Sequence, residues 1–126
     1  MRVLLDTVCF IWALSSPERL SKKATAALQK TSAIRELSSI SLSEIAIKSS
    51  VGKLNFAKDD VRLALSDLQL RVLPYTGDHA FRLFELPLHH TDPFDRQIIA
   101  QALVEQIPII TCDSVFKSYK GVEVIW

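Results

Sequence analysis

The chain has 126 residues, 48% hydrophobic and 23% charged, the composition of an ordinary globular domain. That length buries about two-thirds of the unfolded surface around one core, which excludes disordered and fibrous classes. Fifteen basic residues against fourteen acidic ones leave a net charge of +1, too balanced to announce a polyanionic partner by itself. No apolar run approaches the ~20 residues that cross a bilayer, and the opening Met1-Arg-Val-Leu-Leu-Asp6 meets charge too early for a secretory signal. A single domain spanning 1–126, working in the cytoplasm without a membrane partner, is expected.

Residues 2–5 form a short apolar run that reads as a buried strand ending at Asp6. Residues 7–14 read as a short helix closed by Ser15-Ser16-Pro17, and Ser21 caps a helix over 22–30. A second apolar stretch at 36–41 leads into a helix over 43–48 that stops at Gly52. Residues 58–69 carry Val61, Leu65 and Leu68 on one helical face, begun by Asp59 and Asp60. Residues 71–75 are a strand by composition, and 77–86 a helix ended before Pro87. The longest helix runs over 93–106, followed by a strand at 107–111, a short helix at 114–119 and a last strand at 122–125. Strands alternate with helices and no Asn-Gly hairpin signal appears, so a parallel α/β fold is expected.

The start of the longest helix is the most informative segment, His90-Thr-Asp92-Pro93-Phe94-Asp95-Arg96. Aspartate is a preferred N-cap and proline fits the first helical position, which makes Asp92 the cap, Pro93 N1 and Asp95 N3. The first turn then holds more negative charge than capping needs. Asp6 and Asp113 fall at or just after strand ends, and Glu44 and Asp95 in the first turns of helices. In open parallel sheets ligands bind outside the carboxyl ends of the strands, so all four acids are delivered to one edge. Four carboxylates brought together repel; two helix N-termini offset part of that and a divalent cation much more. Oxygen donors without histidine or cysteine beside them suit Mg²⁺ or Mn²⁺ rather than zinc. The chemistry of such sites is phosphodiester hydrolysis by activated water. With the four acids neutralised by metal, the remaining charge is net positive, compatible with a nucleic-acid surface.

Taken together, Val-Leu-Leu-Asp6-Thr7, Ser41-Leu-Ser43-Glu44-Ile-Ala-Ile-Lys48 with Gly52-Lys53-Leu54, Leu86-Pro-Leu-His89-His90-Thr-Asp92-Pro-Phe-Asp95-Arg96 and Ile110-Thr-Cys-Asp113 resemble the PIN-domain family. More narrowly the pattern is similar to the VapC-like toxins of bacterial type II toxin–antitoxin pairs, over nearly the whole chain. The resemblance implies a three-layer α/β/α sandwich with a central parallel sheet and Mg²⁺-dependent endoribonuclease activity. It also implies a homodimer, and a cognate antitoxin that covers the active site. Carried over by position, the catalytic and metal-holding acids are Asp6, Glu44, Asp95 and Asp113, supported by Thr7, Thr111, Asp92, His90 and Arg96. Val8 stands where relatives often have histidine and Ser43 where many have tryptophan; neither is a metal ligand.

The remaining residues carry plainer expectations. Cys9 and Cys112 stand in no metal-ligand spacing and read as small buried hydrophobes. His79 reads as a surface or cap residue, and His90 as a hydrogen-bond partner of the loop that positions Asp92 and Asp95. Arg96 is expected to pair with a neighbouring carboxylate rather than an RNA phosphate, and Lys48 and Lys53 to lie on a solvated face rather than on phosphate. Phe10, Trp12, Phe81, Phe84 and Trp126 are expected to serve the core or a dimer contact rather than to stack bases. A phosphatase of the haloacid-dehalogenase type also opens on a strand and an aspartate, but needs a second aspartate where Val8 stands. A receiver domain needs an acidic pair and a late lysine that are not in place. Two alternatives stay open: a non-catalytic PIN-like partner-binding module, and a stand-alone RNA-processing nuclease without an antitoxin.

Overall fold

The computed structural model describes residues 1–126. Five strands form one sheet in the order β3-β2-β1-β4-β5, with every neighbouring pair parallel. They are β1 (Arg2–Leu5), β2 (Ile34–Ser38), β3 (Leu70–Leu73), β4 (Ile109–Ile110) and β5 (Val124–Ile125). The helices are α1 (Thr7–Ser15), α2 (Lys22–Gln29), α3 (Ser39–Ser50), α4 (Lys58–Asp67), α5 (Gly77–Leu83) and α6 (Pro93–Glu105), with 3-10 turns at Pro17–Arg19 and Ser114–Ser118.

The unbroken apolar runs of β1 and β4 follow from burial on both faces of the sheet. Side chains alternate across it. Leu4 and Ile109 enter a cluster with Ile98, Ile99 and Phe116 beneath α5 and α6, whereas Val3, Leu5 and Ile110 enter another with Phe10, Ala24 and Ala64 beneath α1, α2 and α4. Two cores on opposite faces make the three-layer α/β/α sandwich that the sequence predicts. Each fully buried Leu or Ile stabilises the fold by about 1.5–3 kcal/mol relative to exposure, so β1 is the spine of both cores. In that layout α6 runs back against the strands, which brings its N-terminus to the carboxyl edge where β1 and β4 end.

Several boundaries differ from the sequence reading, each for a local reason. The strand expected at 36–41 ends at Ser38, whose hydroxyl accepts from the Ile40 N–H and starts α3 early. Glu44 therefore lies in the second turn of α3, not the first. The helix still stops where expected, because Gly52 at φ +79° takes a conformation costly to other residues. The strand expected at 107–111 narrows to Ile109–Ile110, so Cys112 lies beyond it and is exposed, while Cys9 is buried as expected.

His79 is not on the surface. It is 1% exposed: Nδ1 accepts from the Thr76 N–H at 3.0 Å, as a cap does, and Nε2 lies 3.0 Å from Glu105 Oε2. That histidine, then Arg2, holds the Glu105 carboxyl below the usual carboxylate range. Of the five aromatics read as core or dimer residues, Phe10 is in the core, Trp12 and Trp126 are half-buried, and Phe81 and Phe84 are exposed.

Candidate active site

The site is built from four segments that meet at the carboxyl edge. Asp6 follows β1 directly and is the N-cap of α1, its Oδ1 accepting from the Cys9 N–H at 2.8 Å. It is 3% exposed, and burial pushes its carboxyl up. The Thr111 hydroxyl and Cys9 pull the other way, and the Asp113 charge adds to the rise. Thr7, also buried, donates its hydroxyl to Ser41 Oγ at 2.9 Å and ties α1 to α3.

Glu44 projects from α3 and is 4% exposed. Its Oε2 accepts from Lys48 Nζ at 2.5 Å, one turn along the helix, so Lys48 is a partner of the site rather than part of a solvated face. Its Oε1 is buried with no partner at all. A buried carboxylate oxygen left without a donor is costly, and a bound cation or an ordered water would relieve it.

Asp92 caps α6 as read from the sequence, its Oδ1 accepting from the N–H groups of Phe94 at 2.9 Å and Asp95 at 3.2 Å. Asp95 sits at N3 and is the most perturbed acid with a definite value. Burial first, then the charges of Asp92, Glu44, Asp6 and Asp113, raise its carboxyl from 3.8 to about 7. Every acid expected at the site is thus felt by Asp95. Asp113 caps the 3-10 turn through Val115 N–H at 3.0 Å, and its own N–H donates to Thr111 Oγ1 at 3.1 Å. Helix starts therefore attend Asp6 and Asp95, whereas Glu44 relies on Lys48.

Around the acids the supporting residues take defined places. His90 Nδ1 lies 2.6 Å from Tyr119 Oη, and its buried Nε2, without a hydrogen bond, stands 3.5 Å from Asp95 Oδ2. Arg96 makes no carboxylate pair. Its NH1 donates to Pro87 O at 2.8 Å and Tyr119 Oη at 3.1 Å and its NH2 to Leu86 O at 3.4 Å, stapling the loop that precedes Asp92. Tyr119 and Ser41 are the participants that sequence reasoning missed. Tyr119 lies 29 residues from His90 and 23 from Arg96, and no spacing rule connects them.

The acids share one electrostatic field but do not form a closed cage: no three His, Cys, Asp or Glu side chains stand together at metal-ligand spacing. Repulsion accounts for this. Asp6, Glu44 and Asp113 each turn to a donor of their own, the Cys9 N–H, Lys48 and the Val115 N–H. Hard oxygen donors, a raised Asp95 and an orphaned Glu44 oxygen still fit a divalent cation of the Mg²⁺ type.

Fold and acid cluster together define a class: three-layer α/β domains that gather carboxylates at the carboxyl edge of a parallel sheet. The family model of the PIN domain matches residues 3–122, and the chain belongs to that family. No curated protein matches it in sequence. Among solved structures, VapBC2 from Rickettsia felis bound to a DNA fragment from its promoter is similar with TM-score 0.75 at 19% identity, over 98% of this chain and 97% of that one. DNA-bound VapBC from Salmonella typhimurium gives TM-score 0.74 at 18% identity, over 98% and 96%. A toxin–antitoxin complex from Klebsiella pneumoniae gives 0.66 at 23% identity, over 95% and 94%. At these identities the likeness is one of fold.

Proposed function

We propose that the chain is a metal-dependent endoribonuclease and the VapC-like toxin of a type II pair, acting in the cytoplasm as a homodimer restrained by a cognate antitoxin. The observation that carries this reading is Asp95. A carboxyl raised to about 7 by burial and by four neighbouring acids is one whose ionised form a bound cation would stabilise. Asp6, Glu44, Asp95 and Asp113 are the residues that would hold Mg²⁺, with Mn²⁺ as a substitute. The ion supplies a water of lowered pKa and stabilises charge on the leaving oxygen of a phosphodiester.

The chain's own groups set the stage for that chemistry. Thr111 holds the Asp113 backbone and bonds Asp6, keeping β1 and β4 in register at the edge. Tyr119 fixes the His90 ring, whose Nε2 faces Asp95 Oδ2 at 3.5 Å. Asp92 and Arg96 hold the turn from which Asp95 projects. Lys48 shields Glu44 and would give way to a cation bound by that carboxylate.

The similarity to VapBC complexes supports a protein antitoxin as partner. Purified protein is expected to cleave RNA with Mg²⁺ or Mn²⁺, to stop with EDTA, and to lose cleavage in Asp6→Asn and Asp95→Asn. Full cleavage by both variants rejects the assignment. The open spacing of the acids favours a second reading, a partner-binding platform without catalysis. Calorimetric titration with Mn²⁺ separates the two, because such a platform shows no carboxylate-dependent binding.

A further inference from the structure

The two tryptophans of the chain, Trp12 and Trp126, pack against each other with ring centroids 6.1 Å apart and planes tilted by 51°. Their position follows from the sheet. Ile125 O accepts from the Thr111 N–H, so Trp126 leaves the carboxyl end of β5 beside the strand end that leads to Asp113. Trp126 rests on the core beneath α1 and α4. Trp12 does not: its α1 neighbours Phe10 and Ile11 join that core, whereas Trp12 joins neither hydrophobic cluster. Its indole sits at the margin of that core, against Trp126 on one side.

What covers Trp12 is a cation. Arg19, in the turn after α1, sets its guanidinium 4.2 Å from the Trp12 ring centroid. It is exposed, and neither an acid nor a backbone carbonyl takes its donors. Two other cations near the acidic edge are engaged, Lys48 by Glu44 and Arg96 by loop carbonyls and Tyr119. Arg19 reaches the edge through its stack, because Trp12 packs on Trp126, which follows the Ile125 carbonyl that accepts from the Thr111 N–H two residues before Asp113.

We propose that Arg19, Trp12 and Trp126 form a nucleotide-holding platform flanking the acid cluster, which seats single-stranded RNA by stacking a base on the indoles and pairing a phosphate with the free guanidinium. The inference rests on the nuclease reading for its substrate, but it concerns binding, not bond cleavage. An aromatic face with an unpaired planar cation is what single-stranded nucleic acid uses, because every base has a π-face and every linkage a charge. The acid cluster repels the substrate's phosphates, so a cation at its rim is needed to hold the strand without neutralising the acids. The platform lies on β5's side of the sheet, which places the bound strand along the edge from Trp126 past Asp113 toward Asp6.

The test uses the full-length Asp95→Asn protein, which is expected to bind without cutting, and a short fluorescein-labelled oligouridylate. Anisotropy gives affinity, and unlabelled RNA is used to follow tryptophan emission, which comes only from the platform. Saturable quenching, affinity about tenfold weaker in Arg19→Ala and in Trp12→Ala, and a salt slope about 0.7 shallower in Arg19→Ala are expected. Arg19→Lys should keep the salt slope and lose part of the affinity. In the cleaving protein Arg19→Ala should raise KM with little change in kcat. RNA that binds without quenching, with affinity unmoved by Arg19→Ala, overturns the platform while leaving the nuclease reading intact. No RNA binding at all also overturns it. Binding with quenching but no metal-dependent cleavage by the wild-type chain upholds the platform and removes the nuclease.

Discussion

Replacing Asp95 by asparagine should stabilise the metal-free protein while abolishing its activity. Folding raises this carboxyl from 3.8 to about 7, which at 1.36 kcal/mol per pH unit corresponds to about 4 kcal/mol of destabilisation once the group is ionised. The side chain keeps 21% of its exposure, and solvent screening takes about half of that figure, leaving about 2 kcal/mol. Asparagine forgoes about 0.5 kcal/mol of favourable charge at the start of α6. The net gain of about 1.5 kcal/mol raises the melting temperature by about 5 °C in a domain of this size. The sign follows from the direction of the shift. The folded group holds its proton more tightly than the unfolded one, so the wild type has its full stability below pH 3.8 and loses it as pH rises through about 7. The assay is thermal unfolding of both proteins in EDTA at pH 5 and pH 8. The variant should melt higher at pH 8, and the gap should shrink by about half at pH 5. A variant no more stable than wild type at pH 8, or a gap independent of pH, refutes the electrostatic reasoning.

Further outcomes follow from the same geometry. Millimolar Mn²⁺ should raise the melting temperature of the wild type and not of Asp95→Asn, and more at pH 8 than at pH 5, because the ligand must be deprotonated to bind. His79→Ala should cost about 2–4 kcal/mol in denaturant unfolding, since it leaves the Thr76 N–H and Glu105 without their buried partner. Tyr119→Phe removes the buried hydroxyl shared by His90 and Arg96, and should cost about 1–2 kcal/mol in denaturant unfolding and lower RNA cleavage up to about tenfold.

How much of this was legible in the sequence depended on whether the physics was local. The cap formed by Asp92, Pro93 and Asp95 was readable to the residue, because capping chemistry spans only one turn. The parallel α/β class was legible from apolar runs alternating with helices, whereas the three-layer sandwich was implied by the family resemblance, since apolar runs do not say which face each helix covers. The start of α3 was not, because a serine-rich stretch reads equally as a strand end and a cap, and only Ser38's bond to Ile40 decides. His79 was misplaced for the opposite reason. Its partner Glu105 lies at the far end of another helix, 26 residues away, and burial of a polar ring is decided by such a partner. Cys112 was read as buried because it follows a strand expected to run to 111; the strand ends at Ile110, and the thiol turns out to solvent beyond it. Arg96 was given a carboxylate, yet the carbonyls of Leu86 and Pro87, close in space through the loop turn, claimed it first. Asp6, Asp95 and Asp113 do stand at element ends as the pattern expected and Glu44 one turn further in, but Lys48's hold on Glu44 was an i,i+4 pair that the pattern already contained.

The most direct measurement is an anomalous-scattering map from crystals of this protein soaked in Mn²⁺. The account predicts a manganese peak bounded by the carboxylates of Asp6, Glu44, Asp95 and Asp113, with Lys48 swung away from Glu44. Saturating Mn²⁺ that leaves this pocket empty, or a peak held by other residues, would contradict it.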